Sequence, residues 1–122
     1  MTVIKVWGLP TTTKPKLNHL RQSIVNMLVK IIEARRADIT CLFPTDMIES
    51  SADAGIVVEV NFFIIDPFDP NLASDNLQIL NDRLIETIIR FFPDTKSVRS
   101  FVSFNRSYAF WSASKQEEEV AP

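Results

Sequence analysis

The start of the chain contains the first group that could do chemistry. Thr2 follows Met1 directly. If Met1 is removed, the α-amino group of Thr2 has a reference pKa of about 7.7–8.0, close enough to neutrality for a general base. That amine can also activate the threonine hydroxyl, as in some hydrolases. The competing interpretation is an ordinary strand residue behind a retained Met1.

Two further groups of residues carry side chains that suit a small anion. Arg35 and Arg36 are adjacent, and a planar guanidinium group binds a carboxylate through paired hydrogen bonds. Asn105, Arg106 and Tyr108 form a second polar group near the end of the last long predicted strand. For the two arginines, the competing interpretation is a solvated helix end, where a cation interacts favourably with the helix dipole.

The other reactive residue types exclude several kinds of site. His19 is the only histidine, so neither a serine–histidine–acid arrangement nor a metal-binding spacing can be argued, and we expect a surface helix residue. Cys41 is the only cysteine, which excludes an intrachain disulfide and favours a small buried hydrophobe. The two glycines are too few for a Gly-rich phosphate loop or dinucleotide motif. We therefore expect no metal and no cofactor.

Composition and charge predict one globular domain. The chain has 122 residues, of which 46% are hydrophobic and 23% charged, enough to form a core without disulfides. Residues 115–122 contain one Lys and three Glu, which leaves 12 basic and 12 acidic residues elsewhere. A neutral body lacks the charge pattern that binds nucleic acid or an anionic membrane. We expect a single domain over 1–112, an acidic flexible tail over 113–122, no signal peptide or membrane span, and a cytoplasmic location.

Hydrophobic periodicity predicts two β-α-β units in succession. Strands are predicted at 2–9, 39–43, 56–65 and 97–104, helices at 15–35 and 72–91, and a short further strand at 108–111. The strand at 56–65 is partly apolar on both faces, with Glu59 and Asn61 as polar exceptions on one of them, which predicts a central position in the sheet.

Two folds have this order of elements, the ferredoxin-like sandwich and the tautomerase-type protomer. Local sequence favours the second: the chain starts at the first strand, and it contains Glu-Ala-Arg-Arg-Ala-Asp-Ile-Thr at 33–40, Ile-Val-Val-Glu-Val-Asn-Phe-Phe at 56–63 and Phe-Val-Ser-Phe-Asn-Arg-Ser-Tyr at 101–108. Together these features resemble an uncharacterised bacterial family of the tautomerase superfamily, which includes 4-oxalocrotonate tautomerase and macrophage migration inhibitory factor. The resemblance spans about residues 2–111. It implies an α/β (α+β) fold with a tautomerase-like sheet and two helices on one face.

The resemblance also implies a homotrimer with active sites near the N-termini, at subunit boundaries. The chemistry of this superfamily uses a proline directly after the first methionine, whose secondary amine is a general base in an apolar pocket. Nearby cations hold the developing oxyanion. Here Thr2 has that position, and the nearest prolines, Pro10 and Pro15, are too far along the chain. We therefore expect weak or no keto–enol tautomerase activity, in a diverged isomerase or a small-anion-binding protein.

The resemblance assigns roles to the polar groups described above. Thr2 is the catalytic candidate, and the candidates for binding a substrate or another anion are Arg35, Arg36, Asn105, Arg106 and Tyr108. Glu59, an acid within the apolar strand 56–65, is expected to form a salt bridge between subunits. The alternative hypothesis is a non-catalytic interaction or regulatory module of ferredoxin-like type, which predicts a dimer or a monomer.

Overall fold

A computed structural model of the protein describes residues 1–45, 55–64 and 72–106. Its elements are β1 (Thr2–Trp7), α1 (Lys14–Ile32), a short 3₁₀ turn (Arg36–Asp38), β2 (Ile39–Leu42), β3 (Ile56–Ile64), α2 (Ser74–Phe91) and β4 (Val98–Arg106). The predicted order of two β-α-β units is confirmed. The strand predicted at 108–111, the residue Tyr108 and the predicted acidic tail lie outside the described residues.

The first helix ends earlier than its sequence pattern predicted. Thr13 caps its start, where the hydroxyl accepts a bond from the backbone nitrogen of Lys16. Glu33 ends it in a left-handed conformation with φ 54°, and the backbone nitrogen of Ala34 donates back to the carbonyl of Leu28. This closure satisfies a carbonyl of the last turn. The arginines at 35 and 36 therefore follow the helix instead of forming its last turn.

The four strands form one mixed sheet in the order β2-β1-β3-β4. β1 runs parallel to β2 and antiparallel to β3, and β3 runs parallel to β4. The predicted central position of β3 is confirmed, and β1 lies beside it. Because of these directions, the first residues of β1 and β2 meet the last residues of β3 and β4 at one end of the sheet. We call this end the Thr2 end and the opposite one the Trp7 end.

Both helices cover the same face of the sheet. The inward residues of α1 and α2, among them Leu20, Ile24, Leu80 and Leu84, form one cluster with the inward residues of the strands. In β1 and β3, buried positions alternate with half-buried ones, the period expected of strands with one covered face. Two helices on one face of an α+β sheet is the predicted architecture, and it is confirmed. In the part of the chain that the structure describes, no helix is long and apolar enough to cross a membrane.

The opposite face, which we call the open face, has no helix over it. Its apolar members are Val3, Trp7, Leu42, Val57, Phe63 and Phe101. Phe101 and Leu42 are 46% and 44% exposed. A half-polar, half-apolar surface of this kind is unusual for a sheet that faces water alone.

Candidate functional site

Thr2 lies at the end of β1 with its side chain on the helix-covered face. It is only 6% exposed, and it pairs with Ile39 of β2 on one side and Phe62 of β3 on the other. Threonine therefore occupies a buried strand position, with little access for a reactant to its hydroxyl.

Met1 extends the ladder of β1 by one residue. The backbone nitrogen of Phe63 donates to the Met1 carbonyl at 2.8 Å, and the Met1 ammonium group donates to the Phe63 carbonyl at 3.2 Å. With Met1 in place, the nitrogen of Thr2 is an amide and cannot accept a proton. The amine of Thr2 becomes available only after Met1 is removed, and that removal also removes both bonds to Phe63.

The paired arginines lie in the segment before β2, at the Thr2 end of the sheet. They immediately precede β2, whose first residue, Ile39, pairs with Thr2. Arg35 is highly exposed, and its Nε lies 3.9 Å from Asp38 Oδ2. Arg36 donates from Nη2 to the side-chain carbonyl of Asn26 on α1. Arg36 is therefore tied to the helix, and Arg35 has only a long ion pair in water, which contributes little.

The last residues of β4 reach this end of the sheet from the other side. The backbone of Asn105 pairs with Phe63, and that of Arg106 pairs with Ile64. The Thr2 end thus contains the start of β1, the residues before β2 and, on the far side of β3, the end of β4. Of the segments expected to form the site, Thr2 and the residues before β2 lie on neighbouring strands, whereas the end of β4 is separated from them by β3. Tyr108 lies outside the described residues.

The remaining reactive side chains lie away from the Thr2 end or are buried. Burial raises the pKa of the Cys41 thiol to about 11, although the nearby Arg21 lowers it. A protonated, buried thiol is a poor nucleophile, and the expected role as a small buried hydrophobe is confirmed. His19 is exposed on α1, as expected. Among the described residues, no three His, Cys, Asp or Glu side chains are grouped so that they could hold a metal ion.

Sequence reasoning missed a polar pair on the open face. The indole Nε1 of Trp7 donates to Glu59 Oε2 at 2.5 Å. Glu59, expected to bond across subunits, therefore has a partner in its own chain. The alternation of strand residues puts both on one face, but the contact depends on register: Lys5 is opposite Glu59 and Val57 opposite Trp7, so the bonded pair is diagonal.

Comparison with known proteins finds likeness in structure alone. No protein-family model and no curated protein matches this chain. A fused 4-OT wild-type asymmetric trimer matches with a TM-score of 0.67 at 15% identity, covering 85% of this chain and 86% of that one. A member of the cis-3-chloroacrylic acid dehalogenase family matches with a TM-score of 0.68 at 7% identity, covering 85% and 75%.

A third solved structure has the same fold and a different activity in its name. Malonate semialdehyde decarboxylase matches with a TM-score of 0.59 at 10% identity, covering 85% of this chain and 84% of that one. At these identities the likeness concerns the fold, and fold alone does not determine function. The chain has the fold of the tautomerase superfamily.

Proposed function

We propose that this protein is a homotrimer that binds a small carboxylate or similar anion at the Thr2 end and has weak or no keto–enol tautomerase activity. The observation that carries the proposal is the position of the two arginines at the Thr2 end, where β2 starts beside β1. Thr2 and the arginines before β2 are far apart in sequence but lie on neighbouring strands, and the end of β4 lies at the same end of the sheet, beyond β3. Clustering of polar residues from separate elements is typical of a binding site.

The anion is proposed from charge. Arg35 is exposed and makes only a 3.9 Å ion pair with Asp38, so its guanidinium group can turn towards a ligand at little cost. Arg36 is held in place by Asn26. Two of the structurally similar proteins are named for chloroacrylic acid and malonate semialdehyde, and both names denote compounds with a carboxyl group. This similarity supports a carboxylate as the first ligand to test.

The trimer is proposed from the open face. Its apolar side chains stand beside the charged pair of Lys5 and Glu59, which are opposite each other in the ladder. A second copy would cover these apolar groups, which lowers their free energy by about 25 cal/mol per Å² buried. Two of the similar solved structures are described as trimers of fused 4-OT, which supports the same assembly here.

We propose weak catalysis because residue 2 is a threonine. Threonine cannot provide a secondary amine, and the nitrogen of Thr2 is an amide while Met1 is present. The binding half of the site does not depend on that nitrogen. The arginines can therefore hold an anion in a protein that lacks the proton-transfer step.

The assembly is tested by light scattering at micromolar concentration. We expect a mass about three times that of the 13.9 kDa chain. A monomer or dimer would contradict the proposed trimer and favour the alternative, a ferredoxin-like interaction module.

The anion site is tested by calorimetric titration with malonate. We expect Arg35→Ala and Arg36→Ala each to weaken binding by about tenfold, since each removes a charge-assisted hydrogen bond. Asn26→Ala is the matched control, because it removes the contact to Arg36 but keeps the charge. Equal affinity in all variants would contradict an anion site at this end.

Catalysis is tested with phenylpyruvate and 2-hydroxymuconate as substrates. We expect little or no turnover by the wild type and a gain in Thr2→Pro once mass spectrometry confirms the loss of Met1. Robust wild-type turnover that survives Thr2→Ala would contradict the proposal, because another base would then be acting.

A further inference from the structure

A cleft between the two helices lies far from the Thr2 end. It has a volume of about 440 Å³ and is lined by Lys16, His19, Ser23, Arg90 and Phe91. Its residues come from the first half of α1 and the last turn of α2. α1 follows Trp7 and α2 precedes Val98, which pairs with Ile56 beyond the Trp7 end of β1. The cleft therefore belongs to the Trp7 end, at the opposite end of the sheet from the proposed carboxylate site.

The charge of the cleft is positive and unbalanced. Its lining contains a lysine, an arginine and a histidine but no carboxylate. In the part of the chain that the structure describes, neither Lys16 nor Arg90 forms an ion pair with an acid. Unpaired cations that converge from two elements attract an anion more strongly than the same charges spread over a surface.

Two of the basic side chains are positioned by aromatic rings. The ammonium group of Lys16 lies 4.5 Å from the centre of the Phe92 ring, and Phe92 is buried. The imidazole of His19 packs edge-on against Phe91, with the ring centres 5.4 Å apart. A side chain that is already held in place loses less conformational entropy when a ligand binds.

We propose that this cleft binds a small phosphorylated molecule. Lys16, His19 and Arg90 contact the phosphate oxygens, and the Ser23 hydroxyl provides a further donor. The cleft is wide and open to solvent, and its volume exceeds what one phosphate group fills. The body of the ligand packs on Phe91, so an aromatic or apolar body is preferred.

The test uses the single histidine as a reporter. The chain has one histidine, so its ring protons give one identifiable set of NMR signals. Titration with phenyl phosphate should shift these signals in a saturable manner, and inorganic phosphate should bind about tenfold more weakly because it lacks the ring. Phenol should cause no saturable shift. No saturation with phenyl phosphate, or equal affinity for inorganic phosphate, would overturn the proposal.

Variants locate the site. Arg90→Ala and Lys16→Ala should each weaken phenyl phosphate binding by about tenfold, since each loses a charge-assisted contact. Lys30→Ala is the matched control, because Lys30 is an exposed lysine in the last turn of the same helix. Arg35→Ala should also leave binding unchanged, which separates this cleft from the Thr2 end. Equal loss in Lys30→Ala would show a general charge effect and overturn the proposal.

Discussion

The hydrogen bond between Trp7 and Glu59 predicts a specific coupling on the open face. Trp7→Phe keeps an aromatic ring but removes the Nε1–H that donates to Glu59 Oε2 at 2.5 Å. Hydrogen bonds to charged groups contribute about 1.5–3 kcal/mol. Because both residues are half-buried, the lower end of this range applies, and Trp7→Phe should lower the free energy of unfolding by about 1.5 kcal/mol. With a urea m value of about 1.5 kcal/mol/M, the unfolding midpoint falls by roughly 1 M.

A double-mutant cycle isolates this bond from other effects of each substitution. Glu59→Gln is the second single variant, and the coupling energy measured in urea between it and Trp7→Phe should be about 1 kcal/mol. Trp7→Phe with Ser100→Ala is the matched control, since Ser100 bonds to Asn81 on the other face. That control should be additive.

The same variants test the role of the open face in assembly. If copies of the chain meet there, Trp7→Phe should also lower the mass measured by light scattering on dilution, more than Ser100→Ala does. Additive effects of Trp7→Phe and Glu59→Gln would refute the reasoning about the bond. If Trp7→Phe and Glu59→Gln both leave the oligomeric mass unchanged, the bond between the two residues does not contribute to the contact between subunits.

Three further predictions follow from burial and backbone geometry. Folding raises the pKa of the Cys41 thiol from 9.0 to about 11, so the stability due to its protonated form is present below pH 9 and is lost between pH 9 and 11. In urea unfolding, Cys41→Ala should therefore lose less free energy of unfolding over this pH range than the wild type does. An equal loss would contradict the burial of this thiol. Gly8 has φ +82°, and a Cβ there would lie 2.4 Å from the carbonyl oxygen of Gly55. Gly8→Ala should therefore lower the free energy of unfolding by more than the ~1–2 kcal/mol that left-handed backbone strain alone costs. A smaller loss would show that the backbone moves to relieve the contact. Leu84 is fully buried, so Leu84→Ala should cost about 2–5 kcal/mol in urea unfolding, and a loss below 1 kcal/mol would argue against its place in the core.

Local pattern was sufficient for the elements and their order. The run of Ile56–Ile64 is apolar on alternate positions and is bounded by Gly55, so its strand character follows from side-chain periodicity alone. The residue at which α1 ends could not be predicted from the local pattern. The helical pattern of apolar residues continues through Leu28, Ile31 and Ile32. The helix ends because the backbone at Glu33 is left-handed, and a glutamate does not predict that conformation.

The tertiary structure decided which residues meet. The sequence by itself determined that Thr2 is a candidate base and that Arg35 and Asn105 are candidates for binding an anion, because side-chain type does not depend on folding. Their arrangement at one end of the sheet follows from the strand order and directions, which hydrogen bonds between distant segments establish. The bond from Trp7 to Glu59 likewise requires the register of β1 on β3, and a shift of one residue would put Glu59 on the other face. Strand register is a property of pairing, so a single strand's sequence does not contain it.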